Sequence, residues 1–506
     1  MGQEQEGASY PTQNVVNLTA GLHGRVRIFT ALEDINRDNV IEETNRCLAL
    51  HFLNVDEMDY LDGYRRGIQP ILNKKKEVRP EINHKIVVNN ASFVVTFKNG
   101  YFLTKPCSYV ARKDNKSDLV KELNEYLYAS GKAIADNETV DWFHTVGLGA
   151  IYLESNEDPD APVKAYALDP RCAFVVYSRR PGNEPVMAIN IVTIDKTHAM
   201  IDVITKKKRF VISRAEVGMI NATPFAPYAY EIKSETDNLY GEINIFEYSY
   251  NKNRMCAFEV AIPIMDAINE AESDRADSRT QFIQNLLVAV NTSFDEGTTA
   301  NTIRQSGLIC ITSTNENKAE IRTISEQINE AETQVSINDL YEQMLEKCGV
   351  PSSVRDGGST SDNVGAVYLR SGWASADTDC RNEEDLFRKS NSYFDRCLLA
   401  ILHKKGLLTE LKETDFALCF YRNDMTNLQA KTQAALAMKQ LGFSPALTFE
   451  RSGLSYDPIA DVEMSKKYID NLWNTQPPAQ NGQNVPLTDQ QRSQGQPDDT
   501  NQTSKE

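Results

Sequence analysis

The stretch that decides the fold is Cys256–Asn291, CAFEVAIPIMDAINEAESDRADSRTQFIQNLLVAVN. Its 36 residues hold no glycine and one proline, Pro263, near the start. As a single helix it makes a rod of roughly 50 Å at about 1.5 Å per residue. At about 100° per residue, Ala261, Ile264, Ile268, Phe282, Leu286 and Val290 fall on one face. Glu272, Arg275 and Arg279 interrupt that apolar stripe midway, and Asp266, Glu270, Asp274 and Asp277 gather on the opposite side. Like charges at i,i+4 are mildly unfavourable in an isolated helix. Two readings of the acids stand: an ordinary solvated face, or a wall looking into a shared lumen while the apolar and arginine face packs on the body or on a neighbouring copy.

Upstream of the rod, helical patterning runs from Val40 through Tyr60, and Tyr64, Ile68 and Ile71 lead into Lys74-Lys75-Lys76. Lys85–Val88 and Phe93–Phe97 look like two strands, or a strand and a helix start; β-branched enrichment favours strand, although short apolar runs are ambiguous. Leu119–Leu127 reads as helix. From Ala150 to Tyr250 short strands follow one another (Lys164–Leu168, Ala173–Ser178, Met187–Ile194, Met200–Thr205 and Phe210–Ser213), punctuated by Asp-Pro, Pro-Gly and Asp-Lys turns. Residues 40–255 therefore read as an α+β domain, with 1–39 as a flexible arm before it.

Downstream, 292–325 carry strand signals at Leu308–Ile311 and Ala319–Ile324. A helix is expected over Glu326–Cys348, stopped by Gly349 and Pro351. Ser352–Asn363, SSVRDGGSTSDN, is a flexible loop by composition. A long helix spans 364–405 and tolerates Gly372. Thr414–Tyr421 reads as strand, Thr426–Leu441 and Asp457–Asn474 as helices, and 476–506 as a disordered Gln/Pro/Asn/Ser-rich tail.

The whole chain has 506 residues, which at roughly 100–200 per domain indicates two to four domains. No apolar run approaches the roughly 18–20 residues of a membrane span. The start, MGQEQEGASYPTQ, lacks the basic and apolar regions of a secretory signal, and Glu6 stands where a myristoylation signal wants Ser or Thr. Nine cysteines without a C-x-x-C pair read as reduced thiols in a cytosol. The net charge of −17 opposes broad, tight nucleic-acid binding, which needs basic surface to release counterions.

Catalytic motifs are missing. Gly131-Lys132-Ala133 is no P-loop, and Gly147-Leu148-Gly149 lacks the third glycine of a dinucleotide fingerprint. There is no H-E-x-x-H and no G-x-S-x-G. The six histidines are scattered, so no metal set, catalytic residue or cofactor is expected. The basic runs Lys74–Lys76 and Lys206–Arg209 are either phosphate or partner contacts, or solvated turns whose lysines protect strand edges; the second reading carries more weight.

The order of these elements, with its particular words, resembles the portal proteins of tailed double-stranded-DNA bacteriophages, in the branch typified by certain Gram-positive siphophages. The resemblance covers roughly 30–475. It rests on Tyr64–Pro70 (YRRGIQP), Arg79–Val87 (RPEINHKIV), Gly100–Leu103 with Pro106, and Leu168–Arg171 leading into Phe174–Tyr177. Further pieces are Asn253–Met255 before Phe258-Glu259, then Asp266–Asn269, Ser273–Arg275, Cys348–Pro351 and Phe420–Asn423. The family often has glycine where Thr104 and Cys256 stand, which bears on local turns.

The resemblance implies an α+β portal fold of wing, stem, clip and crown, closed by about twelve copies around a DNA tunnel. Mapped here, the wing is 40–255 with 406–425 returning to it. The stem is 256–291 and 326–348, the clip 292–325, and 364–405 a long wing helix; the crown is 426–475. The loop from 349 to 363 becomes the tunnel loop, whose DNA-facing residues are Ser352, Ser353, Arg355, Asp356, Gly357, Gly358, Ser359, Thr360, Ser361, Asp362 and Asn363. Asp266, Glu270, Asp274 and Asp277 become the acidic stem face, and Glu272, Arg275 and Arg279 candidate contacts between copies.

The family sits at one capsid vertex of the virion, is assembled in the host cytoplasm, and is not an enzyme. Its implied partners are the large terminase subunit, head-completion or tail adaptors, major capsid and scaffolding proteins, and the DNA in transit, with no membrane. Two alternatives stay open: a nucleic-acid-processing enzyme with an unrecognised carboxylate metal site, and a structural adaptor without a channel.

Overall fold

A computed structural model describes residues 24–77, 80–194, 198–216, 228–283, 286–290, 320–324, 330–352, 372–421, 428–455 and 457–473. In chain order the elements are β1 (Ile28–Thr30), α1 (Val40–Arg65), α2 (Asn90–Phe102), β2 (Lys105–Ala111), α3 (Ser117–Ala129), α4 (Lys132–Val146), β3 (Leu148–Ser155), β4 (Val163–Leu168), β5 (Ala173–Ser178), β6 (Pro185–Thr193), β7 (His198–Thr205) and β8 (Lys208–Glu216). There follow β9 (Tyr228–Asp237), β10 (Ile245–Ser249), α5 (Ile262–Ile283), β11 (Leu286–Val290), β12 (Glu320–Ile324), α6 (Glu330–Lys347), α7 (Trp373–Lys404), β13 (Phe416–Tyr421), α8 (Leu428–Gln440), α9 (Pro445–Ser452) and α10 (Pro458–Trp473). The chain divides into two compact units, 1–428 and 429–506.

In the first unit a six-stranded sheet runs β1-β5-β6-β7-β8-β9. It is antiparallel except for β1, which joins β5 in parallel. The alternation of β5 to β8 puts Phe174, Val176, Met187, Ile189, Ile201, Val203, Phe210 and Ile212 on one buried face against the first half of α1. A second sheet, β10-β3-β4, and the pair β13-β2 pack with α3 and α4 around α7, whose Phe387, Phe394, Leu398 and Leu402 form the centre of the largest core. A further core joins the end of α1, α2, the start of α5 and the end of α6 through Tyr64, Val94, Phe258, Ile262, Met265, Ile268 and Met344. Mixed helix and sheet is thus the class, as the sequence reading expects.

Four expectations are corrected. First, 24–39 is no loose arm. β1 completes the sheet edge, and Arg25 is buried with Glu259 at 2.6 Å and Glu57 at 3.0 Å, its guanidinium also donating to the Val146 carbonyl at 2.9 Å.

Second, Phe93–Phe97 is helix. Asn89 caps α2 by accepting from the Ser92 N–H, and Lys85–Val88 is extended chain outside any sheet. Third, the rod is shorter. α5 stops at Ile283, and Leu286–Val290 pairs antiparallel with Glu320–Ile324. Sheet pairing overrides a stretch with no helix breaker, as tertiary context commonly does. Fourth, the described part of the long helix begins at Trp373, because Gly372 lies at φ +83° as its N-cap; a left-handed residue cannot continue a helix. Leu308–Ile311, 353–371 and the tail fall outside the described residues.

Candidate functional site

The helix α5 owes its setting to side chains that repeat every four residues. Asn269, Ser273 and Asp277 line one edge, and the extended chain 84–88 lies along it. The Val88 N–H donates to Asn269 Oδ1 (2.8 Å), the Ile86 N–H to Ser273 Oγ (2.9 Å) and the His84 N–H to Asp277 Oδ1 (2.6 Å). Four helical residues advance about 6 Å and two extended ones about 6.6 Å, so alternate amides meet successive turns. Asn269 also donates to Gln69 Oε1 at 2.5 Å, and Ser273 to the Asn269 carbonyl at 2.7 Å. This strap replaces the strand partner that a β-branched segment would otherwise seek, and its amides need one.

The strap decides what the acids can do. Asp277 is 4% exposed. It takes the His84 amide, the His84 Nδ1 at 2.8 Å, and Lys74 and Lys76 at 3.2 and 3.4 Å. Burial would raise its carboxyl, but the His84 and Lys74 bonds outweigh that and hold it at about 2. Asp266 accepts from the Tyr64 hydroxyl at 2.9 Å; burial lifts its carboxyl against that bond. Asp274 is exposed yet shares Lys74 at 2.6 Å, and Glu270 is exposed.

The four acids therefore do not form a bare negative face in the chain. Glu270 and Asp274 face outward, while Asp266 and Asp277 are turned into the body. Of the interrupting residues, Glu272 pairs with Arg275 at 2.8 Å, and Arg275 donates to Gln334 Oε1 on α6 at 2.6 Å. That link ties α5 to α6 within one chain, and Arg279 is exposed.

Of the polar loop, Ser352 is described and is buried; Ser353, Arg355, Asp356, Gly357, Gly358, Ser359, Thr360, Ser361, Asp362 and Asn363 lie outside the described residues. Its two roots are well defined. Before it, α6 ends with the Val350 N–H reaching back to the Leu345 carbonyl at 2.9 Å around Gly349 at φ +64°, a glycine-dependent helix stop. A Cβ at Gly349 would collide with the Asp379 carboxylate of α7. After the loop, Gly372 starts α7.

A buried polar cluster lies beneath these roots. Lys98 of α2 pairs with Glu383 of α7 at 3.3 Å, and His144 of α4 stands 3.4 Å from the other Glu383 oxygen. Asn99 donates to Asp141 at 2.6 Å, and its carbonyl oxygen faces His144 Nδ1 at 2.7 Å. Asp141 in turn takes two bonds from Arg65 of α1 at 2.6 and 2.7 Å. Burial favours neutral His144 and lowers its pKa against the pull of Glu383. Burial would raise Glu383, but Lys98 and His144 bring it below the usual range. The cluster clamps α1, α2, α4 and α7 where the loop leaves and returns. Sequence reasoning missed it, since Lys98 and Glu383 are 285 residues apart.

Both basic runs are engaged in the chain. Lys206 meets Glu242 at 3.5 Å, Lys207 meets Asp34 at 2.8 Å, Lys208 pairs with Glu235, and Arg209 meets Asp202 at 2.6 Å. Among the described residues no group of His, Cys, Asp and Glu could hold a metal ion, and no helix is long and apolar enough to cross a membrane.

In chain order α5 is followed by the antiparallel β11–β12 ribbon, α6, the glycine stop at Gly349 and the long helix α7 that starts after Gly372. Residues 45–465 match the family described as Phage portal protein, SPP1 Gp6-like. The chain belongs to the phage portal protein family. The match spans α1 to α10 and so takes in both units. Portal proteins are structural rather than catalytic. A search of curated proteins finds no match to this chain.

Proposed function

We propose that this portal protein forms a ring at one capsid vertex of a tailed phage of the Gram-positive siphophage branch, through which double-stranded DNA is packaged and ejected. The observation that carries the reading is the family match over 45–465. About twelve copies close the ring by a heterologous interface. The wing is the sheet unit, now including 24–39. The stem is α5 with α6, the clip lies between them and includes the β11–β12 ribbon, and 426–475 is the crown. The large terminase subunit and later a head-completion or tail adaptor dock at the clip, and capsid and scaffolding proteins surround the wing. Assembly takes place in the host cytoplasm.

A conduit must let a polyanion slide, and a strongly basic bore would trap it by counterion release. The net charge of −17 fits that need, with Glu270 and Asp274 the acids of α5 that face outward in the chain. Asp266 and Asp277 serve instead to hold the stem helix on the wing. The loop residues Ser353 and Arg355 through Asn363 face the DNA while Ser352 is buried at the root of the loop, and the Glu272–Arg275 pair with Arg279 lies toward the neighbouring copy. Electron images of the purified full chain test the reading: rings with an open axial hole are expected, and a strictly monomeric product at high concentration refutes it. Deleting Gly357–Ser361 should leave rings intact while packaging or retention of DNA falls; unchanged packaging removes the loop from the mechanism.

A further inference from the structure

Two carboxylates beside Gly349 share one ammonium. Asp379 and Glu383 stand four residues apart on α7 and so on one face. Glu383 holds Lys98 at 3.3 Å and also accepts from the Tyr250 hydroxyl. Asp379 is half-buried and makes no hydrogen bond or ion pair among the described residues. Its position is nonetheless fixed, because a Cβ built on Gly349 would collide with Asp379 Oδ2 and lie 3.4 Å from Lys98 Nζ. The ammonium and the idle carboxylate thus approach one side of Gly349 and stand within about 6 Å of each other, the range over which opposite charges couple. Burial and the Glu383 charge raise the Asp379 carboxyl, and Lys98 draws it down.

There is room for Lys98 to change partners. An open cavity of about 550 Å³ lies between the approach to α5, the end of α6 and α7, with Tyr250, Cys348, Asp379 and Glu383 in its wall. The other charged residues of that wall are Lys252 and Lys347, both exposed, and Asp385, which pairs with Arg388 at 2.9 Å.

The third member is His144 of α4, which is fully buried. Its ring faces Glu383 Oε2 of α7 at 3.4 Å and Asn99 Oδ1 of α2 at 2.7 Å; Lys98 on α2 and Asp141 on its own helix are the further charges it feels. Tyr250 and Phe102 meet it edge-on, with ring centroids 5.1 and 6.1 Å away. A protonated imidazole carries a hydrogen on both nitrogens and serves both oxygens at once. It also brings the second positive charge that the two carboxylates lack.

We infer that Lys98 is a two-position latch, resting on Glu383 while His144 is neutral and crossing to Asp379 when a charged His144 takes over Glu383. In the first position it ties α2 to α7. In the second it closes over Gly349 and pins the end of α6 as well. Burial lowers His144, so the neutral form holds above its ordinary 6.5 and the exchange lies below that value. The lower bound is the Asp379 carboxyl, which must stay ionised and which burial raises from 3.8. The latch lies within one chain and does not depend on the ring proposed above.

Hydrogen–deuterium exchange of the full-length chain, corrected for the intrinsic pH dependence of exchange, tests it at about pH 8 and about pH 5.5. The peptide spanning 344–351 carries the amides that end α6, those of Cys348, Gly349 and Val350, which donate to the Met344, Glu346 and Leu345 carbonyls. In the wild type they should exchange about two- to fivefold more slowly at the lower pH, the scale of one added ion pair. Asp379→Asn removes the second position and leaves Lys98, Glu383 and His144 in place, so the gain should vanish while protection at the higher pH is unchanged. His144→Gln should stay at the high-pH level throughout. The β5–β8 amides, which should not change, show that each variant folds. No gain in the wild type overturns the latch, and so does a gain that survives in either variant. A loss of equal size at both pH values in Asp379→Asn overturns it too, since Asp379 then makes a constant contact rather than a switched one.

Discussion

Replacing Ser273 by alanine separates a rod that merely packs from one that is stitched to its strap. The Ser273 hydroxyl is fully buried, accepts from the Ile86 N–H at 2.9 Å and donates to the Asn269 carbonyl at 2.7 Å. Alanine is the better helix former by about 0.5 kcal/mol, so a helix held by its apolar face alone would gain. In the strap geometry the Ile86 amide loses its acceptor. A lost hydrogen bond costs about 0.5–1.5 kcal/mol, and an orphaned buried donor about 1–3 kcal/mol.

The net expectation is about 1–2 kcal/mol against strap closure. At about 1.4 kcal/mol per decade, the Ile86 amide should exchange roughly 5- to 30-fold faster. Hydrogen–deuterium exchange with fragmentation of the peptide spanning 82–90 reads this out. The β5–β8 amides serve as the internal reference and should not change. Unchanged or greater protection at Ile86 would refute the ladder as the source of the strap's order.

Glu383→Ala leaves Lys98 buried without its partner at 3.3 Å, and removal of one member of a buried pair costs about 3–5 kcal/mol; chemical denaturation should show that loss, and a change under 1 kcal/mol would dissolve the proposed clamp. His51 supplies a pH test. Burial holds it down at about 4 from an ordinary 6.5, stacked on Phe174 with ring centroids 4.0 Å apart. The folded state keeps it neutral while the unfolded state takes a proton below pH 6.5, so its contribution is present above pH 6.5 and lost as pH falls toward 4. The loss reaches about 3 kcal/mol. His51→Gln should flatten the stability profile between those values, and an unaltered slope would place the titration elsewhere.

Much of the architecture was legible where local signals ruled. The strands from Ala173 to Ser213 stood out as short apolar runs between turn residues, β5 being buried on both faces, and Gly349 with Pro351 ended α6 where expected. The failures have separate causes. Val87–Phe97 is β-branched, yet the strap found its amide acceptors on a helix and Asn89 supplied a cap, two facts that no local window contains. The α4 helix went unread, although its flanking glycines, Gly131 and Gly147, both left-handed, mark its two ends. Helical spacing did bring Asp266, Glu270, Asp274 and Asp277 to one side, but the lysine run that neutralises Asp274 and Asp277 lies about 200 residues earlier. The charge of a face is set by what lies on it, and that is long-range information.

The strap also carries its own stop. Helix and extended chain are two rulers with unequal divisions, differing by about 0.6 Å at each rung. Across the three rungs from Val88 to His84 the drift stays near 1.2 Å, inside what hydrogen-bond geometry absorbs. A fourth rung would fall out of step, and the side chain that would have to supply it on the near side, Met265, has no oxygen to offer and is committed to the core. The vernier thus fixes where along α5 the seam can start, so that sliding by one notch toward Met265 forfeits a rung.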